Sequence, residues 1–487
     1  MLLAWGPYGK HFPAFSIYGR FPDCGVRAEW LSPEHVIFEG PDPTFWCPRG
    51  YAIVNADPRG TWYSEGEATF ADRDREAADC AETIEWAAAQ PWSSGRVGMT
   101  GVSYLTYIQW FVAALNPPHL CAINPWEGCS DMYREKFFHG GIPDTSFPAH
   151  WQRSISHSLT RVEDMEAMRR AHPLFDAYWE TKAAPLAQIT VPAYVVASWT
   201  DHALHTRGTL EGFRQIASSQ KWLEVHGEKK WAYYHRPASV AKQMKFFDHF
   251  LKGIDNEVPE WPRVLLAIRE RGTTARWVTR TRWPPADTSP ISLHLDGAGL
   301  LRVNPTPHRR DVRYDPADGR AQFDHTFDEP VDVVGHIKLR LWIEAVGADD
   351  MDLFVAVQKL DPDGEPVHFP FYAEHDDGNV ALGWLRASHR ELDEERSSAA
   401  QPWHRHTRLL PLEAGVPAAV EIEIWPSGTR FERGDTLRLI VAGRDLYDYP
   451  KAIISRHEET VNAGTHVLHM GGRFDSHLLI PVLSHRG

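Results

Sequence analysis

Up to about residue 262, short apolar runs alternate with stretches of helical periodicity. Leu2–Trp5 and Tyr51–Asn55 read as buried strands. Asp74–Gln90 reads as a helix, with Ala77, Ala78, Ala81, Ile84 and Ala88 on its apolar stripe and Pro91 as its stop. Arg96–Thr100 is a short strand and Tyr104–Leu115 a helix. Cys121–Asn124, Ala193–Ser198 and Trp222–Val225 continue the strands, and Thr206–Ser218 and Pro237–Lys252 the helices. This alternation predicts an α/β domain around a mainly parallel sheet. Residues 126–187 interrupt it with helical patterns near Ser146–Leu159 and Val162–Arg170 and no clear strand, as a helical cap over one end of the sheet would.

Beyond Gly253 the period becomes two. Ile337–Ile343, Leu353–Leu360, Val420–Trp425, Leu437–Val441 and Leu478–Val482 read as strands separated by turn signals such as Asp361-Pro362-Asp363-Gly364. The expected organisation is an α/β domain at 1–125 and 188–262, a cap at 126–187, and a C-terminal β-sandwich, jelly-roll-like, at 263–487.

Composition narrows the classes. The chain has 487 residues and a net charge of −14, with no basic cluster, so sequence-independent nucleic-acid binding is not expected. No apolar run approaches the ~18 residues of a membrane-spanning helix. The five scattered cysteines suggest neither a disulfide framework nor structural zinc, and a reduced, cytoplasmic setting fits them. No positively charged stretch precedes Leu2–Trp5, so the N-terminus does not read as a secretory signal. The 20 tryptophans suit a pocket for bulky ligands, but large cores hold them as well.

The strongest chemical signal is Arg96-Val97-Gly98-Met99-Thr100-Gly101-Val102-Ser103-Tyr104-Leu105, where a strand runs into Ser103 and a helix follows. That is the setting of a nucleophile elbow, although Leu105 departs from the G-x-S-x-G pattern. Ser64, Ser93, Ser94, Ser130 and Ser198 lack this frame, and Cys80 lies inside a helix. A serine nucleophile needs a base and a carboxylate that orients it, in chain order Ser–acid–His on this fold. Asp201 follows one later strand and His226 the last. His202 and His205 compete as base but share the acid's own loop, which disfavours them. His235 and His249 belong to or precede the next helix. The His202-x-x-His205 spacing lacks a third metal ligand, so no metal is expected.

These motifs resemble the serine hydrolases grouped with cocaine esterase, α-amino-acid ester hydrolases and X-prolyl dipeptidyl peptidases, the CocE/NonD type. The resemblance covers nearly the whole chain: Gly6-Pro7-Tyr8-Gly9-Lys10, Asp57-Pro58-Arg59-Gly60 with Ser64-Glu65-Gly66, Gly101-Val102-Ser103-Tyr104, Trp199-Thr200-Asp201 and Lys221–Gly227. Gly383–Ser388 and Phe431–Asp435 add to it in the β-domain. It implies Ser103 as nucleophile, His226 as general base and Asp201 as orienting acid. It also implies an oxyanion hole made by the Tyr8 phenol and the Tyr104 backbone N–H. The Asp57–Gly60 motif is expected to be structural, with an Arg59 ion pair bracing the loops. The family often has Gly where Thr106 stands, and it has two antiparallel strands ahead of the one carrying Tyr8. Either the native start lies upstream of Met1 or the sheet has a different edge, open to a second copy in a homo-oligomer.

The resemblance implies cofactor-free acyl transfer through an acyl-enzyme on small-molecule substrates. Ester cleavage is favoured over amide or peptide cleavage, because the peptidase branch carries an additional N-terminal domain. Phe138, Trp151 and Trp199, with Phe137, are candidates for an acyl pocket. Glu127, Asp131 and Asp144 are candidates for holding a substrate ammonium. The rival class is a non-catalytic carbohydrate-binding protein.

Overall fold

The computed structural model describes residues 1–447, 449 and 453–484. Its first half is built on strands β1 (Leu2–Trp5), β2 (Ile53–Ala56), β3 (Val97–Val102), β4 (Leu120–Trp126), β5 (Ala193–Ser198), β6 (Lys221–His226), β7 (Val264–Arg271) and β8 (Thr274–Arg280). They lie in the order β2-β1-β3-β4-β5-β6-β7-β8. Every pairing from β2 to β7 is parallel, and β8 returns antiparallel along β7. Parallel strands buried on both faces require continuous apolar runs. Leu2, Leu3, Ala4 and Trp5 are accordingly all buried.

Helices α1 (Glu76–Ala88) and α2 (Tyr104–Ala114) precede and follow β3. The α1 stripe that meets the core is Ala77, Cys80, Ile84, Ala87 and Ala88. Every residue of α2 is buried, which fits a helix apolar nearly all round. β1 lies inside the sheet, between β2 and β3, so the open edge falls on β2, which is half-buried along its length.

Residues 126–187, expected as a cap, carry α3 (Phe147–Ile155), α4 (Met165–Ala171) and α5 (Ala177–Thr181), preceded by a π-helical turn at Tyr133–Phe137. They also hold a strand pair not anticipated from the pattern, Phe138–His139 against Ile142–Pro143. After them come α6 (Thr206–Gln215), α7 (Lys230–His235) and α8 (Pro237–Lys252).

The change of period near residue 263 does not coincide with a change of sheet, because β7 still pairs with β6. Beyond β8 the pairings are antiparallel, apart from parallel contacts of Leu300 with Asp324 and of Thr429 with Arg269 on β7. The long strand Val331–Val346 pairs with Ala418–Phe431, Thr465–Met470 and His477–Leu483. Asp352–Leu360 pairs with Ala381–Arg386 and Thr436–Ala442. These strands enclose their own apolar core, which includes Ile337, Leu339, Leu341, Leu353 and Leu439. Buried Arg269 on β7 joins the two halves, donating to Ser427 Oγ at 2.8 Å and Thr429 Oγ1 at 3.0 Å. No helix among the described residues is long and apolar enough to cross a membrane.

Candidate active site

The turn between β3 and α2 holds Ser103 at φ 58° and ψ −114°, a strained conformation for a residue with a Cβ. The Ser103 N–H donates to Trp126 O and Glu127 O, both at 3.0 Å, and its carbonyl accepts from Thr106 N at 2.9 Å. The turn needs glycine at 101, where a Cβ would lie 2.4 Å from Leu105 Cβ. Leu105 fits in place of the motif's second glycine because residue 6 is also glycine; a Cβ there would meet Leu105 Cδ1 at 2.6 Å. Thr106 does not disturb the helix–sheet contact and instead fastens it. Its hydroxyl lies 2.7 Å from Trp126 O and accepts the Trp126 N–H at 2.8 Å.

The imidazole that meets Ser103 is His205. Its Nε2 stands 3.2 Å from Ser103 Oγ and 2.9 Å from the Tyr107 phenol, and its Nδ1 is hydrogen-bonded to Asp201 Oδ2. Nδ1 faces a carboxylate and so carries the ring proton, which leaves the Nε2 lone pair toward the serine. The acid's own loop reaches the serine because it folds back at once. Ala203 is left-handed at φ 70°, and Asp201 O accepts the N–H groups of Leu204, His205 and Thr206. His205 then sits immediately before α6.

This corrects the expectation that His226 reaches the serine. His226 is the last residue of β6 and is fully buried. Its Nδ1 accepts the Glu228 N–H at 3.2 Å, its Nε2 lies 2.9 Å from Glu127 Oε1, and its ring stacks on Tyr233 at 3.7 Å. Both ring nitrogens are therefore occupied beneath the site. The loop after β6 does arrive at the site, but the side chain it delivers is Lys230. The Lys230 ammonium donates to Asp201 Oδ2 at 2.9 Å.

Burial pushes the His205 imidazole down to about 4. Asp201 opposes this shift, and Lys230 and Lys136 add to it. Burial alone would raise the Asp201 carboxyl, but Lys230 and His205 outweigh it and hold that group well below the usual carboxylate range. Lys136, on the π-helical turn, is lowered to about 7 by burial, with its ammonium over the Trp151 ring.

Tyr8 follows β1, and its phenol meets the side chains of Ser103, Trp151 and Glu39. Burial, then the charge of Glu39, raises it well above the ordinary tyrosine value. The Tyr104 phenol is drawn away from the site, donating to Glu76 at 2.7 Å and accepting from Ala71 N at 3.0 Å. The Tyr104 backbone N–H, at the start of α2, has no backbone acceptor among the described residues.

Ser103 opens into a cavity of about 370 Å³ whose wall combines aromatic residues, among them Tyr8, Phe38, Phe147, Trp151 and Trp231, with the charged residues Arg20, Arg153 and Lys230. Tyr372 and Glu374 bring the β-domain to its wall. Of the expected pocket residues, only Trp151 lines the cavity. Phe138 stacks on Tyr133 at 4.5 Å and packs on Trp179 within residues 126–187. Trp199 donates to Ala267 O on β7 at 2.7 Å and packs on the second half at Gly428, where a Cβ would lie 2.8 Å from its ring. Phe137 also packs on Trp179. Aromatic identity does not separate a wall residue from a core one, because burial drives both.

The expected ammonium-binding carboxylates are engaged elsewhere. Glu127 holds His226 and Ser198, Asp131 pairs with Arg134 at 2.6 Å, and Asp144 accepts the Ser146 and Phe147 N–H groups that open α3. The carboxyls that do line the cavity are Glu374 and Glu39, the latter raised by burial to about 8. Trp231 Nε1 donates to Glu39 at 2.9 Å. His202 faces the β-domain, its Nδ1 accepting from Leu382 N at 3.2 Å. Arg59 pairs with Asp79 of α1, and Asp57 accepts from Lys10 N at 2.7 Å, which ties down the loop that carries Tyr8.

The chain matches the X-Pro dipeptidyl-peptidase (S15 family) over residues 2–229 and the X-Pro dipeptidyl-peptidase C-terminal non-catalytic domain over residues 256–479. A solved CocE/NonD family hydrolase from Staphylococcus aureus is 40% identical, superposes with a TM-score of 0.97, and covers 99% of this chain and 88% of its own. Cocaine esterase from Rhodococcus sp. (strain MB1 Bresler) is 24% identical, covering 89% of this chain and 88% of its own length. A solved α-amino-acid ester hydrolase shares the fold at 17% identity, with a TM-score of 0.70 over 99% of this chain and 91% of its own. The fold and these relatives define a serine hydrolase. The chain belongs to the CocE/NonD hydrolase family, with an N-terminal catalytic domain and a C-terminal non-catalytic one.

Proposed function

We propose that this chain hydrolyses carboxylic esters of bulky, apolar acids or alcohols through an acyl-enzyme, with Ser103 as nucleophile, His205 as general base and Asp201 as orienting acid. The observation that carries this reading is the relay from Ser103 Oγ through His205 Nε2, at 3.2 Å, to Asp201, at the head of an aromatic cavity. Ser103 attacks the ester carbonyl while His205 takes its proton. The Tyr8 phenol and the Tyr104 N–H stabilise the tetrahedral oxyanion. His205 returns the proton to the leaving alcohol, and water activated by the same imidazole releases the acid from Ser103. The antiparallel C-terminal strands are read as a jelly-roll-like sandwich that completes the cavity wall. A second reading, amide cleavage next to proline, draws support from the S15 match over residues 2–229.

Two measurements test the proposal. A fluorophosphonate probe is expected to label the wild type but not Ser103→Ala; equal labelling of both removes Ser103 as nucleophile. In a screen of p-nitrophenyl esters against Ala-Pro and Gly-Pro anilides, turnover is expected on aromatic and branched esters. Turnover confined to the anilides selects the second reading.

A further inference from the structure

Lys230 lines the catalytic cavity, yet it is only 4% exposed. Its Nζ lies 2.9 Å from Asp201 Oδ2 and 3.3 Å from His205 Nδ1. With Nδ1 protonated, the second distance is not a hydrogen bond, because two donors there converge on one carboxylate oxygen. The other oxygen, Asp201 Oδ1, has no hydrogen-bond partner among the described residues, where the anchoring of the acid runs through Oδ2. In a relay of this kind the carboxylate fixes the imidazole's tautomer and orientation. Here an ammonium in turn fixes the carboxylate and places a permanent positive charge beside the ring that must accept a proton.

We propose that Lys230 is a positioning residue of the hydrolytic site, its ammonium pinning Asp201 Oδ2 against His205 Nδ1 and holding the imidazole in the neutral, proton-accepting form. This inference rests on the Ser103–His205–Asp201 reading. The charged and titratable groups facing His205 are Asp201 on its own loop, Tyr107 on α2, Lys230 at the start of α7 and Lys136 on the π-helical turn. Lys230 itself faces Asp201, Glu127 and Glu39, which keep it charged against the effect of burial. Of the two cations near the ring, only Lys230 touches the carboxylate. The consequence is an esterase whose base stays deprotonated in mildly acidic solution.

The test is the ratio of kcat/KM at pH 5.5 to that at pH 7.5 on one p-nitrophenyl ester, read within seconds of a pH jump so that the fold persists. An ordinary imidazole, with a pKa near 6.5, is about 90% protonated at pH 5.5, which predicts a loss of roughly tenfold in that ratio. The wild type is expected to lose less than about twofold. Lys230→Gln is expected to fall about three- to tenfold in the same ratio, and Lys230→Arg to restore the wild-type ratio. A wild-type ratio near one-tenth overturns the inference even if no variant folds. A Lys230→Gln ratio equal to that of wild type also overturns it. Ser103→Ala and His205→Ala keep the two readings apart. If either retains turnover, the relay itself is wrong. If both are inactive while Lys230→Gln keeps the wild-type ratio, only the role of Lys230 falls.

Discussion

Two loops leave the same end of the sheet, one after β5 and one after β6, and each has a candidate base at one of its ends. The first doubles back within four residues and sets His205 on Ser103. The second leaves His226 under the site, bonded to Glu127, and reaches the cavity only at Lys230. The position of a loop in a fold does not decide which of its side chains performs the chemistry. Local turn geometry does, and here the left-handed Ala203 and the convergence of three N–H groups on Asp201 O make that decision.

The sharpest way to break this contrast is to remove each histidine. His205→Ala is expected to lower kcat by about 10⁴-fold or more, as loss of a triad base does. His226→Ala is expected to keep kcat within about tenfold, a margin set by indirect effects on the Ser103 turn. Steady-state kinetics on folded protein decide it, and the opposite ranking would return the base to His226. Next in size, Tyr8→Phe is expected to lower kcat by about a hundredfold with little change in KM, since a lost oxyanion donor acts in the transition state. An effect confined to KM would reassign Tyr8 to substrate binding.

The cost of His226→Ala should instead appear in stability. The change leaves the buried Glu127 carboxylate without its imidazole partner, which is expected to cost about 3 kcal/mol in urea unfolding. A variant as stable as wild type would show that this pair contributes nothing. The smallest effect is that of pH on the whole fold. Burial lowers the imidazoles of His202 and His235 to about 3 and that of His205 to about 4. Below pH ~6.5 the unfolded chain therefore binds more protons than the native one, and stability falls as the pH falls. The melting temperature is expected to drop by a few degrees between pH 7.5 and 5.5. A flat profile would mean that these histidines are less buried than described.

The elements around the site were legible because they obey local rules. Gly101 before Ser103 and the strand-to-helix switch mark the turn, and a continuous apolar run marks Ala193–Ser198 ahead of Asp201. A topological argument disfavours His205, although its spacing of four residues from Asp201 at the head of a helix is a usable signal. Lys230 and Glu39 carried no such signal, because their significance lies in contacts between segments far apart in the chain. The expected boundary at residue 263 followed the change in period, but pairing of β7 with β6 depends on geometry that alternation does not encode. Trp151 and Trp199 are alike as letters, and only their neighbours distinguish a wall from a seam.

Tyr372 and Glu374, from the second half of the chain, close one side of the cavity, while Arg269 and Trp199 fill the seam between the halves. A protein cut after β8 would therefore not be a smaller hydrolase. It would leave the Arg269 guanidinium without Ser427 and Thr429 and the Trp199 indole without its packing against Gly428, and the acyl group would rest in an open trough. Specificity in such an enzyme is a joint property of both halves, so exchanging the C-terminal half between relatives should change which substrates are accepted while leaving the bond-breaking atoms untouched.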